Sequence, residues 1–386
     1  MADLYVLLFW LSVFLIAYTY LFYPALLWLL TQMTRTPQYD PIDDWPSLSL
    51  IICAYNEAEV IGAKVENSLA LDYPADRLQI IVVSDCSEDG TDEIVQTYAS
   101  KGVQLHRVAE RGGKTEAQNA GVRQARGQIL VFSDANSMYQ KDALKTLLQP
   151  LQDEQVGCVC GELRYHNPGG GGAGKGEGFY WRYEQFLKRR ESLLCSTLGA
   201  NGSIYALKRD LFDELEADII SDFIMPIRIW RKGLKVVYEP RAIATEDSAA
   251  TFRGEFRRRT RIVTRSILGL WQERGALNPL AHGWFAFQLV SHKLLRWLVP
   301  FFLVAAFAGN ILLLDYGPLY KGLLALQVVF YALSLMGHLG HRWLERWSLF
   351  YVPAYFCATN FGVLLGWWHI VSGRRFTVWK PLDRSN

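Results

Sequence analysis

Two acidic loops, each directly after an apolar run, hold the residues of this sequence that are best suited to chemistry. Asp85 follows Val82-Val83, and Asp134 follows Phe132-Ser133. Open α/β sheets bind nucleotides at the carboxyl ends of their parallel strands. A second carboxylate at the same edge favours binding of a divalent cation. The pairing therefore predicts an enzyme that binds a nucleotide sugar.

The elements that would position these loops alternate between strand and helix. Apolar runs bounded by turn residues predict buried strands, and apolar residues at helical spacing predict the helices between them. Right-handed crossovers would bring the ends of the first strands to one edge, where the site must lie. The fold class is therefore α/β, with a doubly wound start. The predicted strands cover residues 48–53 and 78–83, and the predicted helices cover residues 60–69, 91–100 and 142–151.

Both ends of the chain are hydrophobic enough to enter a membrane. Residues 4–33 carry no charge, and at about 1.5 Å per residue such a helix spans a hydrocarbon core of about 30 Å. The start of the chain lacks the basic region of a cleaved signal peptide. We therefore predict a transmembrane helix over residues 1–34, followed by a globular domain over residues 45–273.

Three further apolar runs follow the globular domain, with Trp and Tyr at their ends as in an interfacial aromatic belt. They cover residues 297–314, 319–339 and 349–371. Before them, residues 275–295 have the pattern of an interfacial amphipathic helix. We expect two or three transmembrane helices within residues 296–372, then a tail at 373–386.

Loop charge predicts the orientation of the domain. Arg35 precedes it and an arginine-rich stretch, residues 257–265, closes it, so the positive-inside rule places the domain in the cytoplasm of a multi-pass protein of the plasma (inner) membrane. Three more crossings would put Arg374, Arg375 and Lys380 outside, against the same rule. The fourth run is therefore either a crossing or a re-entrant or interfacial segment.

Composition excludes several other classes. The net charge is +2, and the basic residues cluster near the membrane, which argues against a nucleic-acid partner. The six cysteines lack zinc-type spacing and are expected to be free thiols. No Gly-x-Gly-x-x-Gly follows the first strand, as a nicotinamide-binding protein would require.

Four motifs in order carry a resemblance to a known family. They are Ala54-Tyr55-Asn56-Glu57, Asp85 within Asp-x-Ser-x-Asp-Gly-Thr, the stretch from Gly113 to Gly121, and Asp134-Ala135-Asn136. Together they resemble the family 2 glycosyltransferases. The membrane segments are similar to those of cellulose, hyaluronan and poly-N-acetylglucosamine synthases. The resemblance implies a GT-A (Rossmann-like, nucleotide-diphospho-sugar transferase) domain inserted between transmembrane helices.

The resemblance implies roles at the donor site. Asp85, with Tyr55 and Glu57, would contact the uracil and ribose of a UDP-sugar, and Lys114 would contact its phosphates. Asp134 would bind Mg²⁺ or Mn²⁺. Asn136 stands where many relatives have a second aspartate, so it offers the metal a neutral oxygen, and metal affinity should be lower.

The resemblance leaves two candidates for the general base. Inverting transfer needs a carboxylate that takes the proton of the acceptor hydroxyl. Asp222 lies where the family's acidic pair falls, ahead of a helix predicted over residues 223–232. Asp247 closes a Thr-Glu-Asp triplet that follows a predicted strand at residues 236–240. Position favours Asp222 as the base.

The resemblance also implies groups around the acceptor. Arg258, Arg259 and Arg261 correspond to the family's Gln-x-x-Arg-Trp region and would neutralise the diphosphate, but Ile262 replaces the Trp that processive relatives use. A contact with lipid headgroups is the alternative role of this helix. The loop of Gly199, Asn201 and Gly202, with Trp181 before it, resembles the acceptor side. These same aromatic residues could equally belong to the core.

The sequence thus predicts a membrane-bound inverting glycosyltransferase that moves a sugar from a UDP-sugar to a polysaccharide or lipid-linked acceptor. Two modes stay open, a processive exopolysaccharide synthase and a single-addition transferase. A catalytically silent membrane subunit that binds a glycan or a partner synthase is the alternative from another class. Membrane lipids, and in some arrangements partner subunits, complete the expected partners.

Overall fold

The central feature of the structure, a computed structural model, is one mixed sheet of eight strands. The structure describes residues 2–166, 172–247, 252–339 and 347–377. The sheet order is β3-β2-β1-β4-β7-β6-β8-β5. The strands are β1 (Leu48–Ala54), β2 (Leu78–Ser84), β3 (Val103–Arg107), β4 (Ile129–Asp134), β5 (Met138–Tyr139), β6 (Val156–His166), β7 (Tyr205–Lys208) and β8 (Lys235–Asp247).

Thirteen α-helices lie within the described residues. They are α1 (Ala2–Ala17), α2 (Tyr23–Leu30), α3 (Ala58–Leu69), α4 (Thr91–Gln96), α5 (Lys114–Gln124), α6 (Ala143–Leu148), α7 (Gly172–Leu194), α8 (Ser221–Arg231), α9 (Phe252–Gln272), α10 (Pro279–Gln288), α11 (Leu295–Leu312), α12 (Pro318–Leu339) and α13 (Ser348–Val371). Two π-helical segments, Tyr18–Phe22 and Leu289–Leu294, join α1 to α2 and α10 to α11.

The predicted doubly wound start is present as four parallel strands. β1 pairs in parallel with both β2 and β4, and β2 pairs in parallel with β3. Every residue of β1 is buried, as expected for a strand covered on both faces. The carboxyl ends of β1, β2 and β4 therefore meet at one edge, which brings the loops of Asp85 and Asp134 together.

Helices cover both faces of the sheet and form two hydrophobic cores. Ile51 and Cys53 point into one core, which α5 and α8 close, while Leu50 and Ile52 point into the other, beneath α3 and α6. This alternation follows from the two-residue period of a strand. The antiparallel strand β7 extends the sheet beyond β4, and β6, β8 and the edge strand β5 complete it.

Several predicted bounds differ from the structure. The helix predicted over residues 91–100 ends at Gln96, and the one predicted over 223–232 starts at Ser221, which places Asp222 in its first turn. The strand predicted at 236–240 continues to Asp247 because β8 pairs in parallel with β6 through that residue. The Thr-Glu-Asp triplet is therefore part of the strand.

Four helical stretches among the described residues are long and apolar enough to cross a membrane. They are Asp3–Leu30, Pro279–Leu312, Pro318–Leu339 and Ser348–Val371. Large apolar side chains such as Leu21, Leu326 and Val304 are exposed on them, which suits a lipid environment. Within this group α1 packs on α11, and α12 packs on α13.

The segment predicted as an interfacial helix, residues 275–295, is helical with a kink. A short 3₁₀ turn, Arg274–Leu277, leads into α10, which bends at Gly283 (φ +49°), and the π-helical segment Leu289–Leu294 joins α10 to α11. Near the end of this segment, His292 is buried against Glu191 of α7.

Helix α13 runs beside α9, the arginine-rich helix of the globular domain. Phe361 stacks on Phe256, and a Cβ at Gly362 would lie 3.0 Å from the hydroxyl of Thr260. Beyond the end of α13, Arg375 forms an ion pair of 3.1 Å with Asp218 of the globular domain. The end of the described chain is therefore in contact with that domain.

Candidate active site

A large cavity of about 2100 Å³ lies between the sheet edge and the apolar terminal helices. Nearly all the side chains and glycines that the sequence singled out line it. Tyr55, Asp85 and Asp247 do not line the cavity. The residues that do are Glu57, Lys114, Asp134, Asn136, Trp181, Gly199, Asn201, Gly202, Asp222, Arg258, Arg259 and Arg261.

The centre of the cavity is the point where Lys114, Asp134 and Asp222 converge on Gly202. Lys114 forms an ion pair with Asp134 and donates a hydrogen bond of 3.2 Å to the carbonyl of Gly202. A Cβ at Gly202 would lie 2.7 Å from Oδ2 of Asp222 and 2.8 Å from Nζ of Lys114. A glycine is therefore needed for the cation and the carboxylate to approach each other here.

The two carboxylates keep Lys114 charged. Burial by itself lowers the pKa of an ammonium group, but Asp134 and Asp222 outweigh that effect and raise the pKa of Lys114. At neutral pH the site therefore presents a cation, a group suited to binding phosphate.

Asp85 lies behind this centre and holds the turn that delivers Lys114. Its carboxylate accepts hydrogen bonds of 2.9 Å and 3.0 Å from the backbone N–H groups of Gly112 and Gly113. Gly113 has φ +87°, and Lys114 follows it as the first residue of α5. Burial raises the pKa of Asp85 although these N–H groups act against it.

Tyr55 and Asp85 come together at Arg111, a residue that the sequence analysis did not single out. The Arg111 guanidinium lies 3.5 Å from the centre of the Tyr55 ring, and its Nε lies 4.0 Å from Oδ2 of Asp85. In the sequence, the arginine directly before Gly112-Gly113 was the feature that could have indicated this residue. This cluster is a flat, polar surface suited to a base and ribose.

The oxygens at the end of β4 suit a hard metal ion that also has substrate ligands. Asp134 and Asn136 both line the cavity, and the Ser203 hydroxyl donates a hydrogen bond of 3.3 Å to Asp134. No group of three His, Cys, Asp or Glu side chains able to hold a metal occurs among the described residues. A Mg²⁺ or Mn²⁺ ion here would therefore take its other ligands from diphosphate and water, as Mg²⁺ commonly does.

The Thr-Glu-Asp triplet presents Glu246, not Asp247, to the cavity. Glu246 is buried, lines the cavity, and accepts hydrogen bonds from the hydroxyls of Ser137 and Ser203. Asp247 is exposed and lies outside the cavity. Successive strand residues point to opposite faces. Asp247, the second candidate for the general base, therefore faces away from Asp222.

The loop of Gly199, Asn201 and Gly202 is held firmly by its neighbours. The Asn201 amide donates to the carbonyl of Gly161 at 2.5 Å, and Lys188 of α7 donates to Ala200 at 3.1 Å. Asn201 is therefore buried and contributes to the shape of the loop.

Trp181 lies on α7, at the opposite wall of the cavity. Its indole N–H donates to the carbonyl of Leu163, and its ring packs edge-on against Tyr165. One part of the ring belongs to the core, and another part lines the cavity.

The arginines of α9 have two different roles. Arg258, Arg259 and Arg261 line the cavity, and burial, followed by repulsion from Arg265 and Arg258, lowers the pKa of Arg261 to about 10. It remains a cation at neutral pH. Arg265 instead donates to backbone carbonyls of the turn before α8 and so supports the helix that carries Asp222.

A buried charged cluster between α7 and α11 was not anticipated as part of the site. Arg296 forms an ion pair with Glu184, and Lys293 lies 3.8 Å from the same carboxylate; all three line the cavity. Burial alone would raise the pKa of Glu184, but these cations hold it well below its usual range. In the sequence, a Lys and an Arg beside an apolar run were the pattern that could have indicated this cluster.

Comparison with known proteins agrees with the motifs. Residues 49–216 match the model of glycosyl transferase family 2. The Bacillus subtilis (strain 168) protein named Probable glycosyltransferase YdaM is 29% identical over 234 residues, 56% of this chain and 54% of that protein. The poly-beta-1,6-N-acetyl-D-glucosamine synthase of Staphylococcus aureus (strain COL) is 24% identical over 240 residues, 60% of this chain and 54% of the synthase. This chain spans about half the length of these relatives.

A solved structure matches almost the whole fold. The mannosyltransferase PcManGT from Pyrobaculum calidifontis, determined in complex with GDP-Man and Mn²⁺, superimposes with a TM-score of 0.70 at 25% identity. The match covers 92% of this chain and 99% of that chain. The predicted GT-A fold is thereby confirmed.

Proposed function

We propose that this chain transfers a sugar from a nucleotide-sugar donor to a hydroxyl group of a membrane-associated acceptor, because residues 49–216 match the model of glycosyl transferase family 2 and the fold matches that of a mannosyltransferase. The convergence of Lys114, Asp134 and Asp222 at Gly202 carries this proposal. It places a cation for the donor phosphates beside a carboxylate that is free to act on an acceptor.

The proposed reaction is a single displacement with inversion. The acceptor oxygen forms a bond to the anomeric carbon, while the bond from that carbon to the diphosphate oxygen breaks. Asp222 takes the proton of the acceptor hydroxyl. Lys114, with Arg258 and Arg261, compensates the negative charge of the departing nucleoside diphosphate, and such preorganised charges stabilise the transition state.

A divalent cation, Mg²⁺ or Mn²⁺, would be held by Asp134 and Asn136 together with the donor diphosphate. When bound, it would supply additional charge compensation for the leaving group. Because Asn136 is neutral, the metal should bind tightly only when the nucleotide is present. Asp134 also pairs with Lys114, so the metal ion and the ammonium group would both contact the donor diphosphate.

The donor class follows from the cluster of Tyr55, Asp85 and Arg111. A stacked guanidinium and a buried carboxylate suit a nucleobase with its ribose. UDP-sugars remain the prediction from the motifs. The related mannosyltransferase was crystallised with GDP-Man, so GDP-sugars belong on the same test panel.

We propose that three helices cross the membrane and that α13 lies at its cytoplasmic surface, beside α9. The pair between Arg375 and Asp218 supports this arrangement. It places Arg374 and Arg375 on the side of the globular domain, and leaves Asp3 and Asp315 on the other side. A fourth crossing would put these arginines outside, against the positive-inside rule, and the proposed arrangement avoids that conflict.

The proposal is tested by nucleoside diphosphate release from purified protein in lipid nanodiscs, using a panel of UDP- and GDP-sugars with Mg²⁺ or Mn²⁺ and a native lipid extract. We expect metal-dependent turnover of one donor. Asp222→Asn should lower kcat by about 10²- to 10⁴-fold, the usual contribution of a general base.

Asp247→Asn is the matched control, since Asp247 is exposed and lies outside the cavity. It should stay within about twofold of the unmodified protein, as expected for a surface position. Near-normal transfer by Asp222→Asn would remove Asp222 as the base and direct attention to Glu246. Absence of turnover with every donor would favour a silent subunit that binds a glycan or another synthase.

A further inference from the structure

The cavity that contains Asp222 continues into the membrane region. There its walls come from α1, α11, α12 and α13 and are largely apolar. The volume of about 2100 Å³ exceeds the roughly 300–1,000 Å³ of ordinary ligand pockets. Side chains that define this inner part are Phe9, Val13, Ile16, Leu303, Leu323 and Val352.

The inner part is deep and ends at packed apolar side chains. Tyr20 and Phe9 both line it, and they are separated by a helical distance of roughly 16 Å, at about 1.5 Å per residue. At this depth Phe9 and Ala306, which line the cavity, form a buried apolar cluster with Leu313. A polysaccharide passing outward would meet this cluster, and its hydroxyl groups would lack hydrogen-bond partners along an apolar wall.

Arg296 stands where the polar part of the cavity meets the apolar part. One end of its guanidinium, Nη1, pairs with Glu184, but its buried Nε and Nη2 have no hydrogen-bond partner. Only 11% of the side chain is exposed. Buried donors of a charged group without an acceptor are costly, so this position is suited to an anionic ligand.

The surroundings of Arg296 are also rich in cations. Lys293 lies one helical turn before it, and Tyr180 lies close enough for both Arg296 and Arg259 to act on its hydroxyl. Within the described part of the cavity wall, nine Lys and Arg side chains face five carboxylates. The donor diphosphate compensates part of this excess, and a second anionic group is needed to compensate the rest.

The Arg296 end of the cavity is near the proposed base. Nζ of Lys293 lies 6.0 Å from the centre of the Phe223 ring, and Phe223 directly follows Asp222. The Phe223 ring also packs edge-on against Trp297, the residue after Arg296. A headgroup anchored at Arg296 would therefore have the reaction centre beside it.

We propose that the acceptor is a lipid phosphate. Its apolar chain occupies the part of the cavity between α1 and α12, its phosphate binds Arg296, and a hydroxyl of the headgroup attached to that phosphate faces Asp222 and accepts the sugar. This inference rests on the proposed transferase function and names the acceptor class of that site. It predicts addition of one sugar to a lipid, because a packed apolar cluster lies at the inner end of the cavity.

Binding without any donor tests the inference separately from catalysis. Native mass spectrometry of the full chain released from detergent micelles would count bound hexadecyl phosphate, with hexadecanol and inorganic phosphate as comparison probes. We expect hexadecyl phosphate to bind at least about tenfold more tightly than either comparison probe, since a charge-assisted hydrogen bond contributes about 1.5–3 kcal/mol.

Two variants, each with a matched control, localise the two ends of the lipid. Arg296→Gln removes the phosphate contact, and Arg182→Gln changes an exposed arginine outside the cavity. Val13→Trp fills the apolar part, and Val304→Trp adds the same ring at a position that is 63% exposed and outside the cavity. Binding should fall at least about tenfold in the first member of each pair and stay unchanged in the second.

Equal binding by all four variants would overturn the inference, as would binding of hexadecanol or of inorganic phosphate as tight as that of hexadecyl phosphate. If Arg296→Gln does not fold, Val13→Trp decides, because it leaves the pair of Arg296 and Glu184 intact. A chain that transfers sugar but does not bind hexadecyl phosphate keeps the proposed function and loses only this acceptor class.

Discussion

At the scale of single residues, the site depends on the close approach of a cation and two carboxylates to the backbone at Gly202. Lys114 and Asp222 both reach Gly202, and Asp134 completes the group. Lys114 is half-buried, and burial would lower its pKa, but Asp134 and Asp222 outweigh that effect and raise it. The glycine is therefore as important to the arrangement as the ionisable groups around it.

Gly202→Ala should lower kcat by about 10- to 100-fold with little loss of folded protein. The added Cβ would lie 2.7 Å from Asp222 and 2.8 Å from Lys114, and real Cβ atoms essentially never approach closer than 3.0 Å. Both side chains must then shift, and misplacement by about 1 Å costs about 10²-fold in rate. Steady-state kinetics of nucleoside diphosphate release would measure the loss.

Gly199→Ala, in the same loop, is the matched control. A Cβ there meets the Phe223 ring at 3.5 Å and the Asp222 carbonyl at 3.6 Å, which are ordinary contacts. Its activity should remain within about twofold of the unmodified protein. Equal losses in the two variants would indicate a general disturbance of the loop and would contradict the specific role of Gly202.

At the scale of elements, helix α9 both lines the cavity and supports α8. Arg265 donates hydrogen bonds to the carbonyls of Ala217, Asp218 and Ile219 and to the hydroxyl of Thr115. These contacts fix the turn that precedes α8 and tie it to α5, the helix that begins with Lys114. The basic helix thereby connects the element that carries Asp222, the proposed base, with the element that carries Lys114.

Arg265→Met should destabilise the globular domain. The substitution leaves several buried acceptors without a donor, at a cost of about 1–3 kcal/mol for each one that water does not reach. We expect a lower thermal unfolding midpoint, measured in detergent by tryptophan fluorescence. Arg257→Met, at an exposed position of the same helix, should leave the midpoint unchanged. Equal midpoints for the two variants would contradict a supporting role for Arg265.

At the scale of the whole molecule, the domain and the membrane helices enclose one cavity. Helix α13 closes it from the side of the domain by packing along α9, and Arg375 joins the chain end to Asp218. This arrangement gives an amphiphile one continuous site, with charge at one end and apolar walls at the other.

A fluorescent protein fused after Asn386 should therefore be fluorescent in bacterial cells, and a periplasm-dependent alkaline phosphatase at the same position should be inactive. The reason is that α13 is expected to lie on the cytoplasmic surface. Fusions after Tyr316, in the loop between α11 and α12, should give the reverse pattern. An active phosphatase after Asn386 would show that α13 crosses the membrane.

Much of the fold could be predicted because its signals are local. The buried strands β1 and β2 and the uncharged run at residues 4–33 each depend on neighbouring residues. The ordered motifs then predicted the GT-A fold, which the matching structure confirms. Helix ends were less predictable, since the ends of α4 and α8 depend on packing as well as on propensity.

The sequence by itself thus determined the chemical groups, their order along the chain and the presence of apolar helices. Only the tertiary structure decided that Glu246 and not Asp247 faces the cavity, because register in β8 sets the direction of each side chain. It alone placed Arg296 opposite Glu184 and α13 beside α9. Such contacts join residues far apart in sequence, and no local pattern encodes a distance between two separate elements.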